Sequence, residues 1–570
     1  MRYFKIKVKN LILIIAAFAV IYALIPFAYS IAAKNYSRKG ETEYAAVYYE
    51  KALSLTPKIM RTGEDIYDYA NSLSGGATEH SLYKIFTYGH GGAGNNKVPT
   101  DGALNTAINL YKDLIENYSN DPWAKWGYVR LAEIYMYKGE YKEAEEYLMS
   151  GKTNADAGLI YALYNSTGEY DKGINLLEDL IENNKSYFDM NYYDSLAHLY
   201  IQSGKYDEAI YTYKQAVDKA AEIDRESSEG YFIDKKEELK VKIKKAQEIK
   251  YNKAMEIKGI GSEMGKCSGR VTVDGWGIEG VRVYLKDKEI YKENYIGGSF
   301  DLPFTITDKD GYYCIDDVLP GEYDIGIGIR PDEILGKAYL DNRDSQRHLN
   351  PKGVLVNDFI FKTPIEILTP NDGIKVSEDK LKISWQQIEG AESYSLIVGL
   401  MDEGSYGTST FSDKIKENKA VIDINKIAPR FMGFASFQGE EGRPTSGTLL
   451  GIYGGGKVLY AVEVYDKNGK LMGSSMPIIK TTKLPRHFVM VTQTLEGDNF
   501  IKAEQYEKAK DWFIDYLDKN PEDVHSLYVL ARYYEYCEKD YAKAKEYLAR
   551  LYEITKNEEY KNHMERLSDK

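Results

Sequence analysis

The sequence predicts a multidomain α plus β chain. It is expected to hold an N-terminal transmembrane helix, an α-solenoid of helix pairs, two β-sandwiches and a short C-terminal block of helix pairs. Three observations predict this. A cationic start runs into a long charge-free stretch, small and aromatic residues recur at helical offsets around glycine turns, and the periodicity becomes alternating near Gly265 before turning helical again near Gly497. At 570 residues the chain is too long for one core. The expected division is a basic tail at 1–10, an anchor at 11–33, helical repeats at 34–258, β-sandwiches at 264–362 and 363–484, and C-terminal repeats at 486–570.

Arg2, Lys5, Lys7 and Lys9 precede the 23 uncharged residues 11–33, with no acid among the first ten residues. At about 1.5 Å per residue such a helix covers a hydrocarbon core of about 30 Å. Pro26 is tolerated in a membrane helix. The cationic flank is expected to stay in the cytoplasm, with everything after Ala33 outside. The rival reading is a cleaved signal peptide, for which Ala28-Tyr29-Ser30 would serve as the small-residue site, although this apolar run exceeds the usual length. Both readings export the body of the chain.

From Tyr29 to Lys219 the pattern is helical. The clearest unit is Tyr193, Leu196-Ala197 and Tyr200, then Gly204-Lys205-Tyr206, then Ala209, Tyr213 and Ala216. Ala197 and Ala209 stand where two helices must approach closely, and the tyrosines fill the space around them. Leu131-Ala132, Tyr135, Gly139, Tyr141 and Ala144 repeat the grammar, Gly168, Tyr170 and Gly173 repeat it in weaker form, and Gly40, Ala45, Tyr49 and Ala52 give a later half-unit. Counting back from that half-unit places Tyr29, Ala33 and Tyr36 on its first helix, so that the membrane helix runs into the first repeat. The pattern returns with Gly497, Phe500, Tyr506, Ala509 and Phe513, and with Leu530-Ala531, Tyr534, Tyr541 and Ala544, where Glu504 and Lys539 replace the turn glycine. This arrangement resembles the tetratricopeptide repeat. The resemblance implies a superhelix whose concave face, lined by each first helix, holds proteins or peptides. Trp126, Asn191, Asp194 and His198 lie off the packing positions and are the candidate binding residues of that face, with simple solvation as the alternative.

The Gly-rich stretch 72–101 is expected to be a loop, and its His80 and His90 lack metal spacing. The Lys/Glu-rich segment 235–258 is expected to close the array as a stiff, solvated spacer.

Alternation begins with Gly269-Arg270-Val271 and Val273, and with Val281, Val283 and Leu285. It continues through Phe304, Ile306, Asp308-x-Asp310-Gly311 and Tyr313 to Pro320-Gly321, Tyr323, Ile325 and Ile327. This succession is similar to the carboxypeptidase regulatory-like domain, a transthyretin-like sandwich. The family name implies no peptidase here, since no histidine is followed by the glutamate of a zinc site. The Asp308 turn is a hairpin rather than a calcium loop, because Leu319 stands where an EF-hand places its glutamate. Ile365, Ile367, Leu381, Ile383, Trp385, Tyr394 and the run Tyr460 to Val464 resemble a fibronectin type III module, with Trp385 expected against Tyr394 and Tyr460. Gly451 to Lys457 mimics a P-loop, yet Val458 replaces the magnesium-binding hydroxyl and a strand follows where a helix is needed. It reads as a glycine-rich hairpin.

The formal charge of −13 argues against nucleic acid. With three cysteines there is no disulfide framework. Cys267 and Cys314 are open to two readings, one bridge or two buried free thiols, and Cys537 reads as structural. No catalytic residue, metal or cofactor is expected. The functional expectation is a membrane-anchored extracytoplasmic scaffold that binds proteins through its repeats. The alternatives are a cell-envelope carbohydrate or adhesion protein acting through the β modules, with aromatics near Tyr406 and Phe411, and a hydrolase with a site between Met401 and Leu450.

Overall fold

Where alanines and glycines recur at the sequence-predicted offsets, helices pair. The computed structural model describes residues 24–39, 41–74, 82–86, 89–91, 99–150, 157–183, 189–227, 233–291, 302–340, 347–377, 379–402, 405–438, 442–479, 487–490 and 494–569. The chain forms two compact units, the first from residues 1–334 and 342–359, the second from 335–341 and 360–570.

In the first unit the helix through residues 24–38 pairs with Thr42–Leu55, and Gly63–Ser74 pairs with Asp101–Asn117. Pro122–Lys138 pairs with Tyr141–Ser150, Ala157–Thr167 with Tyr170–Asn183, and Met190–Gln202 with Tyr206–Ser227. Ile233–Ile257 then closes the array. Ala197 and Ala209 are both fully buried. Gly139, Gly168 and Gly204 end their helices at φ of 76°, 73° and 77°, a left-handed turn that glycine adopts without a Cβ penalty.

Most of the expected anchor, 11–23, lies outside the described residues. Its last part, 24–33, belongs to the first helix of the first pair, where Ala33 is buried with Ala45 and Tyr49. The end of the expected anchor is therefore also repeat core. Among the described residues no helix is long and apolar enough to cross a membrane.

The stretch after Ser74 is not merely a loop. Tyr83–Phe86 is a strand that pairs antiparallel with Gly321–Ile329 of the β-rich module and, on its other edge, with Gly89–Gly91. The backbone of His90 thus lies in that outer strand, and His80 lies outside the described residues. On the same sheet Gly321–Ile329 pairs with Arg282–Asp287, which pairs with Phe304–Ile306. Both faces of this sheet are covered. The alternate residues Ile325, Ile327 and Ile329 are buried, and on the other face Gly326 and Gly328 lie against Phe86, Leu82 and Tyr284. The second sheet centres on Gly265–Val273, which pairs antiparallel with Tyr312–Val318 and parallel with Val354–Val356.

That register settles the cysteines. Ser268 faces Cys314, and Cys267 faces Ile315. Side chains alternate between faces along a strand, so Cys267 is buried while Cys314 is exposed, and both thiols are free. Of the two readings the bridge is not formed and the free thiols are, although only Cys267 is buried. Burial pushes the Cys267 thiol up to about 12. The Asp308 turn is a hairpin: its carboxylate accepts the amides of Asp310 and Tyr312 at 2.9 and 2.8 Å.

In the second unit Lys380–Trp385 lies between Ile367–Thr369 and Lys419–Asp423. A larger sheet runs Ile374–Val376, His487–Met490, Lys457–Tyr465, Ser393–Asp402 and Ser405–Ile415. Trp385 is fully buried 5.3 Å from the Tyr394 ring. Tyr460, in the same core, stands 6.0 Å from Phe488 and donates to the Pro370 carbonyl at 3.1 Å. The glycine-rich segment after Gly451 connects the short helix Ser446–Leu450 to the strand Lys457–Tyr465, so it is a helix-to-strand turn rather than a hairpin. Helices Glu496–Lys502, Tyr506–Lys519, Val524–Tyr533, Tyr541–Thr555 and Glu558–Arg566 follow. Glu504 and Lys539 take the left-handed conformation at φ of 57° and 56°, in the turn positions that glycine fills elsewhere.

Candidate functional site

The concave face of a repeat array is lined by the first helix of each pair, and these helices are joined here by polar side chains. Lys34 of the first contacts Glu64 of the second at 2.7 Å, and Ser30 donates to Asp65 at 2.8 Å. Arg130 of the third donates to the Tyr67 hydroxyl of the second at 3.0 Å and is paired with Glu133 on its own helix.

Beyond this point the face is filled by the chain itself. Residues 157–164 are all buried, as are 131–137 and 193–200. A helix buried all round has a second layer on it, and that layer is the sheet containing Phe304. The Phe304 ring meets Tyr161 edge-on at 5.6 Å, and its carbonyl accepts from Asn165 at 2.9 Å. Tyr137 donates to Asp332 at 3.4 Å.

The four candidate binding residues separate accordingly. Trp126 is 47 % exposed, near the start of its helix. Asn191 is exposed in the first turn capped by Asp189. Asp194 and His198 are only 1 % and 6 % exposed and do not face an open groove. Asp194 accepts from Lys242 at 2.8 and 2.7 Å and from Lys235 at 3.1 Å. Both lysines also reach Glu238, at 2.9 and 2.8 Å. Burial alone would raise the Asp194 carboxyl, but the Lys242 and Lys235 ammonium groups outweigh it and hold the group well below the usual carboxylate range.

Lys235 and Lys242 belong to Ile233–Ile257, so this helix is not a solvated spacer. Lys245 pairs with Asp287 and Glu289 at 3.2 and 2.7 Å, and Lys253 with Asp317 at 2.6 Å, which fastens the helix to the β-rich module. The sequence did carry a signal for this arrangement: Asp194 and His198 are one helical turn apart, and the closing helix supplies lysines at 235 and 242, seven residues apart and so on one face.

His198 is governed by the same cluster. Burial, reinforced by Lys242 and Lys235 against the opposing pull of Asp194 and Glu238, lowers it to about 4. The folded protein therefore keeps His198 neutral in a range where the unfolded chain protonates it at about 6.5. A base with a depressed folded pKa contributes stability that is full above the unfolded value and lost as pH falls toward the folded one. The expected loss from pH 7 to pH 4 is about 3 kcal/mol from this residue. In His198→Gln the fall in urea midpoint over that window should be shallower; an identical slope would rule out His198 as the titrating group.

In the second unit the helix Val524–Tyr533 is likewise buried along 525–533. Arg532, fully buried, donates from Nε to the Thr448 carbonyl at 2.7 Å and from its two terminal nitrogens to the carbonyls of Met432 and Phe434. His525 lies 2.9 Å from Asp498, and His563 2.9 Å from Glu535, both pairs buried. The side chain of Tyr406 lies outside the described residues, and Phe411, half-buried, has the Arg430 guanidinium 5.3 Å from its ring centre. Among the described residues no three His, Cys, Asp or Glu side chains are grouped to hold a metal.

Tetratricopeptide-repeat family models match residues 28–59 and 127–151, and another matches 193–225. The helix pairs within these three ranges are of the tetratricopeptide type. Repeats of this kind generally mediate protein–protein interaction. The first match starts at Ala28, inside the expected anchor. No curated protein matches the chain. Among solved structures, a DUF3823 family protein from Parabacteroides merdae aligns at 12% identity and a TM-score of 0.14, over 40% of this chain and 98% of that one. A streptococcal ancillary pilin aligns at 14% identity and a TM-score of 0.15, over 41% of this chain and 60% of that one.

Proposed function

We propose that the chain is a non-enzymatic scaffold that binds protein partners through the open, N-terminal stretch of its repeat face. In the same reading the cationic and apolar N-terminal segment that precedes the repeat helix at 24–38 tethers it to a membrane, with the body of the chain outside the cytoplasm. The observation that carries the binding role is the contrast along the face. The helices at 24–38 and Gly63–Ser74, and the first turns of Pro122–Lys138, keep exposed and half-exposed polar side chains, with Trp126 among them, while the later helices are filled from within. An exposed tryptophan is a typical anchor for a protein partner.

The tether is supported by the charge-free run behind four cationic residues. The carboxypeptidase regulatory-like sandwich then acts as a body seated on the repeats of the first unit rather than as a flexible spacer, and the fibronectin type III-like sandwich packs with the helices of its own unit.

Crosslinking in cells followed by purification tests the binding role. Partners recovered with the natural chain should be lost with Trp126→Ala and kept with Trp276→Ala, whose tryptophan is 80 % exposed on the β-rich module. The reverse dependence would assign binding to that module instead. Topology has its own readout, since Cys314 is exposed. A membrane-impermeant maleimide added to intact cells should label the chain, and Cys314→Ser should remove most of the label; labelling only after lysis overturns the orientation.

A further inference from the structure

A cavity of about 480 Å3 opens in the first unit between the helices Met190–Gln202, Tyr206–Ser227 and Ile233–Ile257 and the β-rich module. Pockets of this size enclose small organic ligands. We propose that it binds a small, uncharged, hydroxyl-bearing ring compound of the saccharide class. The site is separate from the open stretch of groove described above and stands without it.

Charge selects the class of ligand. Lys242, Lys245 and Lys253 line the cavity, and each already has its carboxylate: Asp194 at 2.7 Å, Glu289 at 2.7 Å and Asp317 at 2.6 Å. The three lysines are thus already neutralised, and an anion that took Lys242 from Asp194 would break a buried pair, which is costly. The walls select shape. Tyr206, Tyr213, Tyr291 and Tyr323 line the cavity together with Ile249 and Leu285, giving ring faces and apolar area with polar tips.

Two buried polar atoms of the lining are left for the ligand, the Tyr161 hydroxyl and His198 Nδ1. His198 lines the cavity, and its Nδ1 has no hydrogen-bond partner in the protein. Its Nε2 lies 3.7 Å from Asp194. The carboxylate favours the tautomer with the proton on Nε2, which leaves Nδ1 as a bare acceptor. Buried acceptors are normally satisfied, and a ligand hydroxyl would satisfy this one.

The test uses the full chain and three neutral probes, cellobiose, maltose and N,N′-diacetylchitobiose, with glucuronate as the charged counterpart. Saturation-transfer NMR at millimolar concentration should show at least one neutral probe bound in preference to glucuronate. Ile249→Trp and Gln202→Trp, which narrow the cavity from two sides, should abolish that signal while the circular dichroism spectrum and melting curve stay unchanged. His198→Phe, which keeps the ring and removes the acceptor, should weaken binding about tenfold. Absence of transfer from all three probes, preference for glucuronate, or equal binding by both tryptophan variants would overturn the proposal and leave the cavity to water.

Discussion

Arg532→Met is expected to destabilise the second unit by about 4 kcal/mol or more, the sum of several buried carbonyls losing their donor. The guanidinium reaches the carbonyls of Thr448, Met432 and Phe434, and the Tyr536 hydroxyl at 3.4 Å, from a fully buried position. Methionine fills much of the volume but offers no donor, so three backbone carbonyls would lose theirs, those of Thr448 and Met432 in fully buried surroundings. Water cannot rescue them unless the helix Val524–Tyr533 moves away. Arg532→Lys should be nearly as damaging, because one ammonium cannot reproduce the planar fork that spans residues 432–448. Hydrogen exchange read on peptides from 524–533 and 446–450 separates this from a global effect, since exchange reports opening segment by segment. Both peptides should lose protection together. A loss confined to one, or below about 1 kcal/mol, would mean that the arginine is not what joins them.

That clamp was not legible in the sequence, and the reason is general to this molecule. The helix pairs are local: Ala197 and Ala209 are twelve residues apart, and their spacing with Gly204 specifies a crossing that needs no distant partner. Even the departures from glycine could be placed, because Glu504 and Lys539 sit at offsets where the turn must be left-handed. What fills the concave face is remote in sequence. Asp194 and His198 occupy positions that face an open groove in an isolated array, and only the module that follows Gly265, with the closing helix, buries them. A pattern that marks a residue as off the packing positions of its own helix cannot tell solvent from a second layer. The stretch 72–101 failed for a related reason. Its glycines read as loop, whereas four residues within it, Tyr83–Phe86, find their sheet more than two hundred residues downstream. Register decides between the two readings of the cysteines: Cys267 and Cys314 lie on neighbouring strands, but an offset of one residue puts their side chains on opposite faces and leaves both thiols free.

The inserted strand also gives the sharpest test of how module and repeats are joined. Phe86 lies directly across from Gly326, and a Cβ on Gly326 would fall 2.3 Å from the Phe86 ring. Two residues on, a Cβ at Gly328 would stand 2.8 Å from the Tyr284 hydroxyl and 3.3 Å from Leu82. The glycines at 326 and 328 are thus empty seats on the sheet face, each covered by an aromatic or apolar side chain from a neighbouring strand or the segment just before the inserted one. Gly326→Val should therefore force the Phe86 ring out and cost about 3 kcal/mol, at the upper end for overpacking. Phe86→Ala should cost about 3–5 kcal/mol by the opposite route, leaving a cavity over the glycine. If the two residues act through one contact, the double variant should recover about 1–3 kcal/mol of the summed losses, because valine then occupies space the ring has vacated. Exchange of the Tyr83–Phe86 amides, read in all three variants, reports whether the strand stays paired. Strictly additive losses with those amides still protected would show that the ring and the glycine do not share a contact, and that the insertion is held by its backbone ladder alone.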